Sequence, residues 1–373
     1  MGLLSFGASQ SAVGLDIGAE RVRVAQISAT GSGPVLTAYG IAHTPFGALT
    51  DGEIIDGPAI SAAIRDAWKS AGIRGKTCAV GVSNQRVVVR LIDLPFMERV
   101  ELANAIQYLA QDYIPMAVEE SIFDFQIMGD YMTPSDEHMM EVLLVAAHRE
   151  MIDHTVSAVE GAGVKLSGID VSSFAVARAV LDDTDAVLPA DDGSATAIVH
   201  ISSDLTSITI VERGVPRFNR ISSLAGGTVT HAISNALNIG FDEAEEIKRT
   251  IGLRDISGVE QEPFSGTDPA LVPVAQDAIE REANRFIAEV RRSIDYYLTQ
   301  TAQTRTIQTI LLAGSGSQLR NFPQYLQTGL QIQVVTGDPL SRLKVAPSVQ
   351  DAVLADRMGS STAIGLALGG LQG

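Results

Sequence analysis

Two stretches far apart in the chain spell the same small structure. AVGLDIGAERVRVAQI, residues 12–27, is an apolar run that ends in Asp16 and Gly18, turns sharply and resumes as an alternating Val-Arg-Val strand. TAIVHISSDLTSITIVERG, residues 196–214, repeats it as strand, polar turn and alternating strand, with His200 where the first copy has Asp16. Strands of this kind bury one face and expose the other. A chain that opens twice on the same hairpin is held to two similar α/β domains facing each other across a cleft. Its 373 residues suffice for about two domains of ordinary size, and 46% apolar residues can fill two cores.

The first copy is followed by AISAAIRDAWKSAG, which reads as a helix, and by TCAVGVS and RVVVRLIDLP, which read as a second strand pair. From Met97 to Tyr113 apolar residues recur at helical spacing until Pro115 stops them. SIFDFQIM and HMMEVLLVAAH follow as strands, REMIDHTVSAVEGAG as a helix closed by glycine, and VKLSGID as a strand. This block, residues 94–168, is expected to be a small α+β unit inserted into the first domain. After the helix SSFAVARAVL, the acidic stretch DDTDAVLPADDGS has little to bury and marks a boundary. The first domain is therefore expected over residues 1–184, its core being 12–93 and 169–184. The second is expected over 185–373, with core 195–232 and 306–373 around a mainly helical insertion, 233–305. Within it, RISSLAGGTVTHAISNAL is a strand meeting Gly226-Gly227 and then a helix. FDEAEEIKRTIGL is a helix with Ala244, Ile247 and Ile251 on one face, and Asp242 and Glu245 in cap-like positions. TIQTILLAGSGSQLRNFPQYL gives a buried strand, a Gly/Ser turn and a helix, and SSTAIGLALGG is a final helix of small residues suited to close packing.

Composition removes several function classes. With 44 acidic against 27 basic residues the formal charge is −17, and no segment interleaves dominant Lys and Arg with aromatics, so nucleic acid is not the main partner. Cys78 is the single cysteine, which rules out an intrachain disulfide, and no Cys/His set has zinc-site spacing. No apolar run reaches the roughly 18 to 20 residues of a bilayer span. The expectation is a cytoplasmic protein without direct membrane insertion. MGLLSFG carries Phe6 where a myristoylation signal takes Ser or Thr, and reads as a frayed terminus.

Three glycine turns could hold phosphates, because glycine lets backbone N–H groups approach the oxygens and a helix N-terminus adds a favourable dipole. They are Asp16-Ile17-Gly18, where the carboxylate could hold the water shell of Mg²⁺, Gly226-Gly227-Thr228 at a helix start, and Gly314-Ser315-Gly316 after a strand. Each alone also reads as an ordinary turn. Gly75-Lys76-Thr77 spells the end of a P-loop, but Ser70 stands at its leading glycine and the segment runs from helix into strand, the reverse of a P-loop. His148 and His154 are off the spacing of a helical metal pair, and no Gly-x-Ser-x-Gly elbow occurs.

Taken in order, VGLDIGAERVRV, SLAGGTVT, EAEEIKR and ILLAGSGSQL resemble the phosphate, ribose and adenosine motifs of the actin-like ATPase superfamily, to which FtsA and MreB belong. Within it the chain is similar to the type IV pilus assembly PilM family, also in RLIDLPFM, YIPMAVEESIFDFQIMGD, VLLVAAHREMID, GIDVSSFAVARAV and STAIGLALGG. The resemblance implies a duplicated actin-like, ribonuclease H-like fold that binds ATP and Mg²⁺. By position, Asp16 and Gly18 would form the first phosphate loop, with Asp16 at the metal, and Gly226 and Gly227 would lie by the phosphates. Glu245 and Lys248 would reach the ribose, and Gly314, Ser315, Gly316 and Ser317 would flank the adenine.

Two departures from the family pattern stand out. His200-Ile201-Ser202 replaces an Asp-x-Gly, which removes the second acid, and Gln318 and Arg320 stand where relatives favour Arg and Pro. Binding with little hydrolysis is the expectation. The resemblance further implies a scaffold that docks the N-terminal tail of a PilN-like inner-membrane protein in a groove between the first core and the inserted block. It would thereby be joined to the pilus motor ATPase. A sugar or small-metabolite kinase would need a carboxylate base and a sugar-binding motif, and no such motif is present. An FtsA-like filament protein would end in a basic amphipathic helix, whereas TAIGLALGGLQG has no basic face.

Overall fold

The computed structural model describes residues 11–181, 193–255, 268–300 and 305–372. The MGLLSFG segment and the boundary expected after residue 184 lie outside them. The first half runs β1 (Ser11–Ile17), β2 (Arg21–Thr30), β3 (Gly33–His43), a short ribbon of β4 (Leu49–Thr50) and β5 (Glu53–Ile54), α1 (Gly57–Ala71), β6 (Thr77–Val82) and β7 (Val87–Pro95). It continues through α2 (Arg99–Leu109), β8 (Ser121–Met132), β9 (His138–His148), α3 (Arg149–Gly161), β10 (Lys165–Val171) and α4 (Ser172–Val180). The second half comprises β11 (Ser194–Ile201), β12 (Thr206–Glu212), β13 (Val215–Ser222), α5 (Gly226–Leu237), α6 (Phe241–Ile251), α7 (Val272–Gln300), β14 (Thr306–Ala313), α8 (Phe322–Leu330) and β15 (Gln333–Thr336). It closes on β16 (Lys344–Val345), α9 (Gln350–Ala355) and α10 (Ser361–Gln372). Local chemistry sets these bounds. In α1, for example, the Asp56 carboxylate accepts from the Ala59 N–H, Pro58 occupies the first turn, and Gly72 ends the helix at φ 65°.

The duplication is visible in the sheets. One has the order β10-β6-β1-β2-β3-β16, the other β13-β12-β11-β14-β15. In each, the first strand of the hairpin pairs antiparallel with the second and parallel with a later strand, β6 or β14. The two hairpins therefore occupy the same place in the two sheets.

Three boundaries differ from the sequence reading. TCAVGVS and RVVVRLIDLP do not pair: β6 joins the first sheet beside β1, whereas β7 leaves it to form a three-stranded sheet of order β7-β9-β8. The inserted unit thus begins near Val87, and α3 and β10 belong to the first core, packed on α1 and on β6. GPVLTAYGIAH, unassigned in the sequence, is the third strand of the first sheet. Finally, β16 pairs with β3, and α10 packs on β1, β2 and β6, so the end of the chain returns to the first half.

That return locks the halves together. Helices α4 and α10 pack against each other between the two sheets, with Val176, Ala179, Ile364 and Ala367 fully buried beside Ile27 and Ala313. The run of small residues is what permits the approach. A Cβ on Gly365 would fall 1.7 Å from the carbonyl oxygen of Ala175, and one on Gly14 would fall 2.1 Å from that of Ala363.

Candidate functional site

The register of β1 and β2 sets Asp16 opposite Arg23, and that of β11 and β12 sets His200 opposite Ser207. Both hairpin turns reach into the cleft between the halves. A small cavity of about 80 Å³ lies there, lined by Asp16 and Gly18 from the first turn and by Ser202 and Asp204 from the second. It shares Arg23, Ser202 and Ser315 as lining residues with an outer cavity of about 370 Å³. The outer cavity has a polar wall at Glu245 and Lys248 and an apolar one at Val229, Phe286 and Phe322.

A charged cluster organises the inner end. Arg23 donates from Nε to Asp356 Oδ2 at 2.6 Å and from Nη2 to Oδ1 at 3.2 Å, and the Tyr39 hydroxyl donates to the same Oδ2 at 2.7 Å. Arg23 Nη1 also lies 3.9 Å from Asp16 Oδ2. Burial pushes the Asp16 carboxyl up to about 6; Arg23 pulls it down, while Asp356 and Asp204 push it further up. His200 is pushed down to about 4 by burial and then by the Arg23 charge, so it is neutral at neutral pH. The Asp204 carboxyl is also raised by burial, against a hydrogen bond from Ser202 at 2.9 Å.

The sequence-predicted residues divide into those that line the cavities and those that frame them. Asp16, Gly18, Gly226, Glu245, Lys248, Ser315 and Gly316 line them. Lys248 Nζ donates to Gly226 O at 3.1 Å and Thr230 Oγ1 at 2.8 Å and lies 2.5 Å from Glu245 Oε2. Burial acts to raise the Glu245 carboxyl, but Lys248, Thr230 and Arg249 together hold it below its ordinary range. Gly227, Gly314 and Ser317 stand behind the walls. The Gly226 and Gly227 N–H groups donate to the Ser202 and Ser203 carbonyls at 3.0 and 2.7 Å, which fastens the start of α5 to the second hairpin. Gly314, at φ 81°, packs under Ile201, and the Ser317 hydroxyl donates to the Gly314 carbonyl at 2.7 Å. Sequence reasoning missed Arg23, Asp204, Asp356 and Phe286. Hairpin register could have found Arg23; Asp356, 333 residues away from it, carries no local signal.

The arrangement fits a magnesium nucleotide. The outer cavity lies within the range of roughly 300–1,000 Å³ usual for small-molecule sites, with an apolar wall for a flat base and a carboxylate–ammonium pair for hydroxyls. Among the described residues no group of three or more His, Cys, Asp or Glu could hold a metal by itself. Mg²⁺ is commonly held by one or two carboxylates, waters and substrate phosphates, so the carboxylates present suit a cation that arrives with phosphate.

A third hollow, about 480 Å³, borders the inserted unit between β7 and β13, lined by Val87, Val89, Arg90, Ile221 and Tyr296. Arg217 of β13 pairs with Glu141 of β9, bridging the second half and the inserted unit. Among the described residues no helix is long and apolar enough to cross a membrane.

The family model described as Type IV pilus assembly protein PilM matches residues 14–371. A chain of the PilM-PilN type IV pilus biogenesis complex superposes with a TM-score of 0.80 at 25% identity, over 98% of this chain and 99% of that one. Ethanolamine utilization protein EutJ from Carboxydothermus hydrogenoformans superposes at 0.51 with 15% identity, over 98% and 92% of the two chains, which speaks to the fold alone. Cell division protein FtsA of Bacillus subtilis (strain 168) is 23% identical over 263 residues, 64% of this chain and 58% of that relative, so the match spans little more than half its length. The duplicated sheets are those of the actin-like ATPase fold, and the chain belongs to the family of the type IV pilus assembly protein PilM.

Proposed function

We propose that this protein is a nucleotide-binding scaffold of type IV pilus assembly that docks the N-terminal tail of a PilN-like inner-membrane protein. The observation that carries this reading is the likeness, along nearly the whole of both chains, to a chain of the PilM-PilN complex. The inserted unit has an edge strand at β8, which suits an extended tail that adds as a strand. From such a dock the protein would link membrane components to the pilus motor ATPase complex.

Within this reading the cleft binds ATP and hydrolyses it little. Glu245 and Lys248 would take the ribose hydroxyls, Ser315 and Gly316 would flank the base, and Asp16 and Gly18 would face the phosphates. Bound Mg²⁺ would neutralise phosphate charge. Arg23, held by Asp356 on two atoms, presents a cation that needs no reorientation. His200, neutral until about pH 4, is too weak a base to activate water at neutral pH. Calorimetric titration with a PilN-type N-terminal peptide is expected to give saturable heat, and a stoichiometric complex with ATP is expected to turn over far more slowly than it dissociates. Absence of heat with the peptide would overturn the scaffold, and rapid turnover without partners would overturn the binding-only cleft.

A further inference from the structure

The second hairpin has no acid at the position matching Asp16, yet one reaches the cleft from its turn. Asp204 lies between β11 and β12, where its Oδ1 accepts from Ser202 Oγ at 2.9 Å. Its Oδ2 is enclosed and receives no hydrogen bond of ordinary geometry, although the backbone of Gly52 and of Asp204 itself acts on the carboxyl. An enclosed carboxylate oxygen short of partners is costly, and such atoms mark places where an ion or water completes the set. Asp204 lines the same inner cavity as Asp16, close enough for its charge to act on the Asp16 carboxyl. That cavity, about 80 Å³ and rich in hydroxyls, has room for roughly two or three waters, enough to accommodate a partly hydrated ion. Arg23, the nearby cation, is already matched by Asp356 at 2.6 Å and only distantly by Asp16 at 3.9 Å, which leaves the carboxylates to another positive charge.

We propose that Asp204 takes over the role of the acid missing at position 200: with Asp16 on the facing turn, it holds the hydrated divalent cation that accompanies the nucleotide phosphates. The inference rests on the nucleotide reading above. Two carboxylates are too few to retain Mg²⁺ without phosphate, so the site loads only with nucleotide. Because Asp16 belongs to the first half and Asp204 to the second, the cation also ties the two turns together.

The test compares ATP affinity in EDTA and in excess Mg²⁺ for the wild-type protein and Asp204→Asn. The wild type is expected to bind at least tenfold more tightly with Mg²⁺. The variant, which keeps the Ser202 bond, is expected to lose most of that gain while binding metal-free ATP as well as or better than the wild type, since a negative charge near the phosphates is gone. Asp204→Ser repeats the charge removal should the first variant fail to fold. A variant that retains the full Mg²⁺ gain overturns the role of Asp204, as does a wild type whose affinity is indifferent to Mg²⁺. A wild type that binds no ATP in either condition overturns the nucleotide reading and this inference with it.

Discussion

Asp16 is charged at neutral pH at the expense of the fold. Its carboxyl is pushed up to about 6 from an ordinary 3.8, so the folded state holds that proton more tightly than the unfolded state does. The stabilising contribution is complete below pH 3.8 and is lost as pH rises through 6, a loss of about 3 kcal/mol. Asp16→Asn, which keeps the shape and removes the charge, is expected to make the ligand-free protein about 2 kcal/mol more stable at pH 7.5 and almost no more stable at pH 4. Urea unfolding at the two pH values checks this, and equal stability at pH 7.5 would contradict it. His200 carries the opposite sign: at about 4 against an ordinary 6.5, its contribution is complete above pH 6.5 and lost as pH falls through 4. The two slopes oppose one another between them, so the Asp16 variant should also show the steeper loss in acid. Asp356 is the other costly position, because removing it leaves the Arg23 guanidinium enclosed with only the more distant Asp16, at 3.9 Å, to match it. Asp356→Ala is expected to lose about 3 to 5 kcal/mol and Tyr39→Phe about 1, read by the same unfolding. At this scale Asp16, Gly18, Gly226, Glu245, Lys248, Ser315 and Gly316 are legible as residues that line the cavities, because each sits in a short string of neighbours with matching chemistry. Arg23 was hidden in a Val-Arg-Val alternation that reads as a solvated face, and Asp356 meets it only through the tertiary fold.

Elements were legible where their period is local. Both hairpins, α1 and the apolar stripe of α6 follow from alternation or helical spacing, and the match of the two sheets in all strands but β16 follows from the repeated hairpin. Pairing between neighbours was not. β6 and β7 are separated only by a short polar turn, as a hairpin would be, but β6 is drawn to β1 and β7 to β9 by contacts distant in sequence. The final helix was legible as a close-packing surface, though nothing in SSTAIGLALGG says that it returns to the first sheet. Its packing gives a sharp expectation. The Ala175 carbonyl is backbone and cannot swing aside, so the added methyl of Gly365→Ala must push α10 from α4. The loss should exceed about 3 kcal/mol, with a fall in soluble yield. Gly57→Ala, whose Cβ position meets nothing within 4 Å, is the matched control and should change stability by less than about 0.5 kcal/mol. A Gly365 variant as stable as that control would show that the helices are not in direct backbone contact.

Across the whole molecule, the cleft is a place where a ligand can act on both halves at once. The first hairpin turn and the second line one inner cavity, while the α4–α10 layer behind it keeps the sheets from separating. A ligand that contacts both turns favours whichever arrangement brings them together, and can shift the balance only by its difference in affinity for the two. Mg²⁺-ATP at a hundredfold excess over its dissociation constant should stabilise the fold by about 2.7 kcal/mol. Hydrogen exchange should then slow in residues 17–21 and 202–205 together. Protection confined to one turn would mean that the nucleotide rests on one half and leaves the other free. The Arg217–Glu141 pair extends the coupling outward, since it joins β13 of the second half to β9 of the inserted unit. Arg217→Ala should leave nucleotide affinity within about twofold of wild type, because Arg217 lines neither cavity of the cleft. It should nevertheless abolish any nucleotide-induced slowing of exchange in β9. If β9 responds equally in both proteins, the inserted unit follows the first half, to which the β6–β7 and β9–α3 connections join it, and a partner docked on that unit would sense the nucleotide through those connections.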